Sequence, residues 1–393
     1  MFRPVLASLV GLAVIATCWA ASPAVTPTPP AAAAALPAVA VPSAPQVDAR
    51  SYILVDYQTN KVLAEKEATA RMEPASLTKL MTAYIVFQEL AAGKLKLEDM
   101  VNVSEHAWRS EGSRTFIELG KPVSVQDLIL GMIVQSGNDA TIALAERIAG
   151  TEDTFAQLMN SNAQRLGMTG THFENSSGLP SPQHYTTARD MSLLANAMIR
   201  DFPQYYKYYS IREFEHNGIR QQNRNGLLEK DPSVDGLKTG HTDSAGFCLV
   251  TSAHREGMRL VSVVLGSGSM KARENASASL LGYGFAFYET KLAVKGGTAL
   301  AAPRVWKAAR SPADVGIKND LYVTLPRGQS DIKTVVDVQP KLIAPLGADA
   351  TVGTLRVFGG GQPLASVPLH PLSAVPAGGW WRRLIDTIRL WFA

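Results

Sequence analysis

The sequence predicts an α+β body followed by a small all-β domain, and three observations predict it. Residues 51–57 and 61–64 are apolar runs flanking Gln58-Thr59-Asn60, the pattern of a strand pair around a turn. Apolar residues then recur at helical spacing, before strand-like runs return at 246–252 and 259–265. Beyond residue 296 the texture changes to short alternating segments broken by Pro and Gly.

Within the body, residues 77–91 predict a long helix with little polar face, which marks it as central and buried. Ser124 reads as an N-cap with Asp127 three residues on, and Leu128, Ile129, Met132 and Ile133 follow at helical spacing. Ser136-Gly137-Asn138 interrupts that run; residues 140–148 resume as a second helix, and 187–199 form another. The late strands carry Cys248 in Phe247-Cys248-Leu249-Val250, where it reads as a buried, inert thiol. In the small domain, residues 320–325, 332–338 and 352–358 alternate apolar and polar. The expected organisation is a signal at 1–21, a spacer at 22–46, the body at 47–296, the β domain at 297–375 and a terminal helix at 376–393.

The two ends place the protein. Arg3, an apolar run at 5–16 and Cys18-Trp19-Ala20-Ala21 have the layout of a cleaved export signal, too short to span a bilayer comfortably. The Ala/Pro-rich spacer shows no periodicity and is expected to be extended. Removing the signal takes one of the two cysteines, so Cys248 has no internal disulfide partner and the core alone must hold the fold. A formal net charge of +4 over 393 residues is too weak to imply nucleic acid. At about 100° per residue, Trp380, Trp381, Leu384, Ile385, Ile388, Trp391 and Phe392 fall in an arc of roughly 140°. Arg382, Arg383, Asp386 and Arg389 lie opposite, so this helix is expected to lie in a membrane interface with lipid as its partner. The expected location is the periplasmic face of the cytoplasmic membrane.

Chemistry centres on Ser76-Leu77-Thr78-Lys79 at the start of the central helix. Three residues is nearly one helical turn, so both side chains share a face. A serine hydroxyl needs a nearby base, and a lysine kept from water can lose its proton and serve. A second Ser-x-x-Lys, Ser330 to Lys333, lies at the edge of an alternating strand, where residues three apart point to opposite faces. Ser136-Gly137-Asn138 sits in a break between helices, and Lys238-Thr239-Gly240 opens a strand, followed by His241. The seven histidines are scattered, none lies in a His-Glu-x-x-His helix and Cys248 is alone. No metal site is legible, and no cofactor is expected.

Ser-x-x-Lys, a Ser-x-Asn and Lys-Thr-Gly, in that order, form the signature of serine β-lactamases and penicillin-binding proteins. The middle motif departs from Ser-Asp-Asn but keeps its Ser and Asn. With Asn175-Ser176-Ser177-Gly178-Leu179-Pro180, the run from Val234 to Thr242 and the four-part plan, the chain resembles the low-molecular-weight D-alanyl-D-alanine carboxypeptidases of bacterial walls. That resemblance implies a β-lactamase/transpeptidase-like antiparallel sheet flanked by helices, with a mainly helical insert carrying Ser136. It implies Ser76 as the acylated nucleophile, Lys79 as its base, Ser136 as a proton relay and Asn138 as a holder of the substrate amide. Lys238, Thr239 and Gly240 would bind the substrate's terminal carboxylate or support the relay, and the N–H groups of Ser76 and His241 would form the oxyanion hole. Arg273, or less directly Arg224, would make a second carboxylate contact. The implied substrate is a peptidoglycan peptide ending in D-Ala-D-Ala, with β-lactams as inhibitors.

Three rivals use related features. A class A β-lactamase also needs a deacylating glutamate; Glu174 has the wrong surroundings, followed by Asn-Ser-Ser-Gly. An endopeptidase cutting wall cross-links would use the same motifs, and the β domain and tail favour the carboxypeptidase. A non-catalytic penicillin-binding protein of morphogenesis need not keep Ser76, Lys79, Ser136 and Lys238 together.

Overall fold

A computed structural model describes residues 39–392. The expected export signal and most of the spacer lie outside them. The end of the spacer is packed rather than free: the Tyr283 hydroxyl donates to the Pro42 carbonyl at 2.9 Å, and Ala44 and Val47 rest on the body.

Five antiparallel strands form the main sheet: β1 (Ser51–Asp56), β2 (Val62–Lys66), β3 (Val234–Thr242), β4 (Gly246–Arg255) and β5 (Met258–Ser267). Their order is β2-β1-β5-β4-β3, so β3 is an edge strand with one side free of sheet partners. The central stretches of β4 and β5 are buried on both faces, which explains why their sequences are mostly apolar instead of alternating.

One face of the sheet packs on a helical layer: α1 (Lys79–Ala91), α2 (Val125–Leu130), α3 (Asn138–Ala149), α4 (Glu152–Arg165) and α5 (Ala188–Asp201). The other face packs on α6 (Met270–Phe287). α1 is buried along nearly its whole length, as its missing polar face predicts. Its expected start at Leu77 is instead a tight turn, Ala75–Thr78, with α-helix beginning at Lys79. Ser124 Oγ accepts the Asp127 N–H at 3.1 Å and Thr187 Oγ1 the Asp190 N–H at 3.0 Å, capping α2 and α5.

The small domain follows α6 without a linker. Its first strand, β6 (Tyr288–Val294), pairs with β7 (Leu321–Pro326), so strand pairing starts the domain at Tyr288 rather than at 297. β8 (Ile332–Val338), β9 (Gly353–Gly359) and β10 (Gln362–Pro371) form an antiparallel meander over a separate core that includes Val323, Leu325, Leu355 and Val357. The fully buried carboxylate of Asp56 joins the two domains. It accepts the Thr59 N–H at 2.8 Å and the Thr290 hydroxyl at 2.5 Å, while Lys61 Nζ donates to the Thr324 carbonyl at 3.0 Å.

The chain ends on α7 (Trp380–Leu390). Sequence placed Asp386 on a free polar face; in the fold it is 6% exposed and seats the helix on the small domain. Asp386 accepts the Lys307 N–H at 2.7 Å and an Arg304 N–H at 3.4 Å, and Arg382 donates to the Ala309 carbonyl at 3.1 Å. The polar side therefore docks and the apolar arc faces outward, with Trp391 78% and Phe392 87% exposed. No described helix is long and apolar enough to cross a membrane.

Candidate active site

The turn that presents Ser76 is tightly enclosed. Ala75 adopts φ 47°, a left-handed conformation that costs an L-residue about 1–2 kcal/mol. Leu77 N–H closes the turn on the Pro74 carbonyl at 3.1 Å. Two glycines press against it. A Cβ on Gly178 would stand 1.8 Å from the Ala75 carbonyl oxygen, and one on Gly240 would stand 3.0 Å from that of Pro74. Only a bare backbone lets the 175–180 loop and β3 approach the turn that carries Ser76 this closely.

Lys79 lies one turn on and is 1% exposed. Its Nζ lies 3.0 Å from Ser76 Oγ, 2.7 Å from Asn138 Oδ1 and 2.6 Å from the Ser177 carbonyl oxygen. Asn138 Nδ2 donates to the Glu111 carbonyl at 2.5 Å, which fixes the amide with its oxygen toward Lys79. Two of the three partners of Lys79 can therefore only accept. A neutral amine must spend both N–H groups on them and turn its lone pair to Ser76 Oγ–H. Burial brings Lys79 down from the usual lysine range to about 7, with Arg224 helping and Asp139 and Glu152 opposing. The amine can thus be neutral near neutral pH and aimed at the hydroxyl it would deprotonate.

The remaining predicted residues gather around this pair. Ser136 follows the turn Gly131–Gln135 at φ 64°, and its buried hydroxyl has no hydrogen-bond partner among the described residues. Asn138 has both ends of its carboxamide engaged within the protein. Its oxygen holds Lys79 and one of its two amide hydrogens holds the Glu111 carbonyl. Lys238 is buried on β3 and donates to the Thr239 carbonyl at 3.0 Å. Burial first, then the charges of Lys79, Arg224 and Arg273, push its ammonium well below the usual lysine range. Arg273, on α6, donates to the Gly240 carbonyl at 3.2 Å, bracing the edge strand from behind. The His241 ring packs on Phe247 with centroids 4.0 Å apart.

Ser76, Ser136, Arg224, Thr239, His241 and Arg273 line one cleft of about 390 Å³, with Gly112 and Ser113 on its rim. Lys79, Asn138 and Lys238 sit behind that lining. Another cleft, of about 450 Å³ and lined by Arg255, Phe285 and Arg327 among others, contains none of the motif residues. Ser330 and Lys333 are exposed on the small domain.

Several groups that shape the site had no role assigned to them from the sequence. The Ser177 carbonyl is a backbone group. Its loop is held by Asn175 Oδ1, which accepts the Gly178 N–H at 2.7 Å, and by Glu152, which accepts the Ser176 N–H at 2.9 Å. Asp139, next to the Ser-Gly-Asn motif, is fully buried and accepts the N–H groups of Thr115 and Phe116 at 2.8 and 2.9 Å, fixing the wall that carries Ser113. Under the turn that carries Ser76, His184 Nδ1 accepts the Glu174 N–H at 3.1 Å, so Nε2 bears the hydrogen and donates to Thr78 Oγ1 at 2.8 Å. Burial lowers this imidazole to about 4, keeping it neutral.

Comparison with known proteins agrees with this geometry. Residues 38–269 match the family described as D-alanyl-D-alanine carboxypeptidase, and residues 288–377 match the penicillin-binding protein 5 C-terminal domain. The chain is similar to D-alanyl-D-alanine carboxypeptidase DacA of Escherichia coli (strain K12), 44% identical over 361 residues and covering 90% of each chain. It is also similar to DacF of Bacillus subtilis (strain 168), 32% identical over 351 residues, 88% of this chain and 90% of that one. Among solved structures, penicillin-binding protein 5 from Haemophilus influenzae superposes with a TM-score of 0.82 at 40% identity, covering 85% of this chain and 99% of that one. Penicillin-binding protein D2 from Listeria monocytogenes, solved in its ampicillin-bound form, gives 0.58 at 30% identity, covering 62% and 100%. A serine one turn before a buried lysine at the cleft, and likeness on this scale across both domains, lead to one assignment: the chain belongs to the D-alanyl-D-alanine carboxypeptidases, serine peptidases of the penicillin-binding type.

Proposed function

We propose that this carboxypeptidase removes the terminal D-alanine of wall peptides through an acyl-Ser76 ester, with Lys79 as the base. One observation carries the reading: the two obligate acceptors beside Lys79 leave its lone pair only Ser76 to face. In acylation, Ser76 Oγ bonds to the carbonyl carbon of the penultimate residue as its proton passes to Lys79 Nζ. The carbonyl electrons move onto oxygen, toward the N–H groups of Ser76 and His241. As the C–N bond breaks, the Lys79 proton reaches the departing amine, with the partnerless Ser136 hydroxyl as relay, and D-alanine leaves. Water then attacks the ester carbonyl carbon as Lys79 Nζ takes its proton, and that proton passes to Ser76 Oγ as the acyl C–O bond breaks. Ser76 is restored and the shortened peptide leaves as a carboxylate.

The substrate's terminal carboxylate would lie near Thr239, Arg224 and Arg273, with Lys238 behind. An incoming anion offsets the repulsion among these cations and keeps Lys238 protonated while Lys79 is neutral. Incubation with a penicillin, followed by intact mass and peptide mapping, tests the assignment. One adduct on the peptide containing Ser76 supports it, and an adduct elsewhere sinks it.

The same reading places the enzyme outside the cell, exported by the signal at 1–21 and held on the periplasmic face of the cytoplasmic membrane by α7. The outward apolar arc supports this, since seven large apolar side chains stay more than two-fifths exposed while the polar side is docked. Deleting the residues after Pro376 should release the protein from membranes and leave D-alanine release from a soluble peptide unchanged. Pelleting of the truncated protein with membranes would reject α7 as the anchor.

A further inference from the structure

Between α7 and residues 302–312 of the small domain lies a groove of about 850 Å³, lined by Arg304, Arg382 and Arg389 together with Trp381, Ile385 and the buried Asp386. We propose that this groove binds the phosphate headgroup of an acidic phospholipid. The proposal rests on the reading of α7 as a membrane-surface helix, and adds to it a built site shared with the small domain.

Three observations point to this ligand. The first is charge: three guanidinium groups face one carboxylate, leaving the groove about two charges positive at neutral pH. Asp386 is already engaged by the Lys307 N–H and Arg304, and the Arg389 guanidinium has no hydrogen-bond or ion-pair partner among the described residues. The Arg304 guanidinium is stacked 3.6 Å from the centroid of Trp306, which holds it flat and leaves N–H edges free. Ser311 Oγ accepts the Val305 N–H at 3.0 Å, so its own hydrogen is free to donate into the groove. Forked donors lining one groove, with Arg382 also donating to the Ala309 carbonyl, suit a tetrahedral oxyanion.

The second observation is position around the helix. At about 100° per residue, Trp381, Ile385, Arg389, Arg382 and Asp386 follow one another over roughly 140° of α7. The groove thus runs from the edge of the apolar arc to the docked side. If the arc enters the acyl layer, this flank sits at headgroup height, where an interfacial helix meets phosphate. The third is composition. Trp381 and Ile385 share the groove with the arginines, so a ligand there contacts apolar and cationic surface together. A lipid has both a glycerol-acyl body and a phosphate; a free phosphate has only the second.

The test uses the mature full-length protein and sedimentation with two kinds of vesicle, phosphatidylcholine alone and an equal mixture with phosphatidylglycerol. Arg304→Gln combined with Arg389→Gln should lower partition onto the acidic vesicles roughly tenfold or more. Partition onto phosphatidylcholine should stay within about twofold, because the apolar arc is untouched. Lys318→Gln combined with Lys333→Gln removes the same charge from the small domain outside the groove, and should change acidic binding by less than about threefold. D-alanine release from a soluble peptide, unchanged in both variants, verifies folding. Equal losses in the two double variants, or full binding by the arginine variant, would overturn the groove while leaving the anchor standing. Failure of the unaltered protein to bind either vesicle would instead overturn the membrane reading itself.

Discussion

The chain contains two Ser-x-x-Lys segments, and their surroundings differ in every respect that matters chemically. Ser76 and Lys79 straddle a tight turn and the first turn of a buried helix, with Nζ 3.0 Å from Oγ. Ser330 and Lys333 stand in water at the start of β8. A lysine in water keeps its proton near neutrality; enclosed at 1% exposure it falls to about 7. The motif is only a spacing. Helical geometry and exclusion of water turn it into a hydroxyl and a buried amine in contact, the arrangement the proposed nucleophile and base require.

The largest expected effect separates the two segments outright. Ser76→Ala should reduce D-alanine release by roughly 10⁴-fold or more and abolish penicillin labelling in intact mass, whereas Ser330→Ala should change neither. Turnover surviving Ser76→Ala would erase the distinction.

Next come the lysines. Lys79→Arg should slow acylation by about 10²- to 10⁴-fold, because arginine stays protonated and cannot act as a base. Lys238→Arg should keep more activity, since its role needs only a cation, and Lys333→Arg should match the unaltered enzyme. Stopped-flow acylation by a chromogenic β-lactam ranks the three; equal small losses at 79 and 238 would contradict the separate roles.

The pH profile sharpens the contrast further. Lys79 must be neutral to act, so kcat/KM should rise with pH through a limb near 7 and fall as acid protonates the amine. Asn138→Ala removes an acceptor that favours the ammonium more than the amine. The limb should then move to lower pH while the plateau drops by about tenfold. A limb that stays in place would show that Asn138 does not hold Lys79.

The smallest effect lies far from the cleft. Asp386→Ala leaves the Lys307 N–H without its acceptor, at a cost of about 1–3 kcal/mol confined to the docking of α7. Amide exchange in α7 should accelerate while D-alanine release from a soluble peptide is unchanged. Unaltered exchange would mean that other contacts seat the helix.

Much of the fold was legible, for uneven reasons. The strand pair, the central helix, the cap at Ser124 and the β8 boundaries follow from local periodicity and capping chemistry. The start of the small domain was missed because β6 continues from α6 without a turn signal, and only its pairing with β7 assigns it. Within the site, the Ser, Lys and Asn motifs were visible as residue types. The Ser177 carbonyl and the His184 support beneath Thr78 were not, since backbone groups and contacts across 106 positions leave no pattern in a single chain.

The sequence by itself determined what depends on near neighbours: a serine and a lysine one turn apart, the buried character of the helix that bears Lys79, and an apolar arc along the terminal helix. Only the tertiary structure decided what depends on the surrounding medium and on distant partners. It excluded water from Lys79, brought Asn138 and Ser177 to it as obligate acceptors, and left β3 at the sheet edge beside the cleft. It also chose which side of α7 docks, by burying Asp386 against Lys307. Spacing sets which side chains share a face, whereas the acidity of a lysine and the outward face of a helix are set by desolvation and long-range contact, which exist only once the chain has folded.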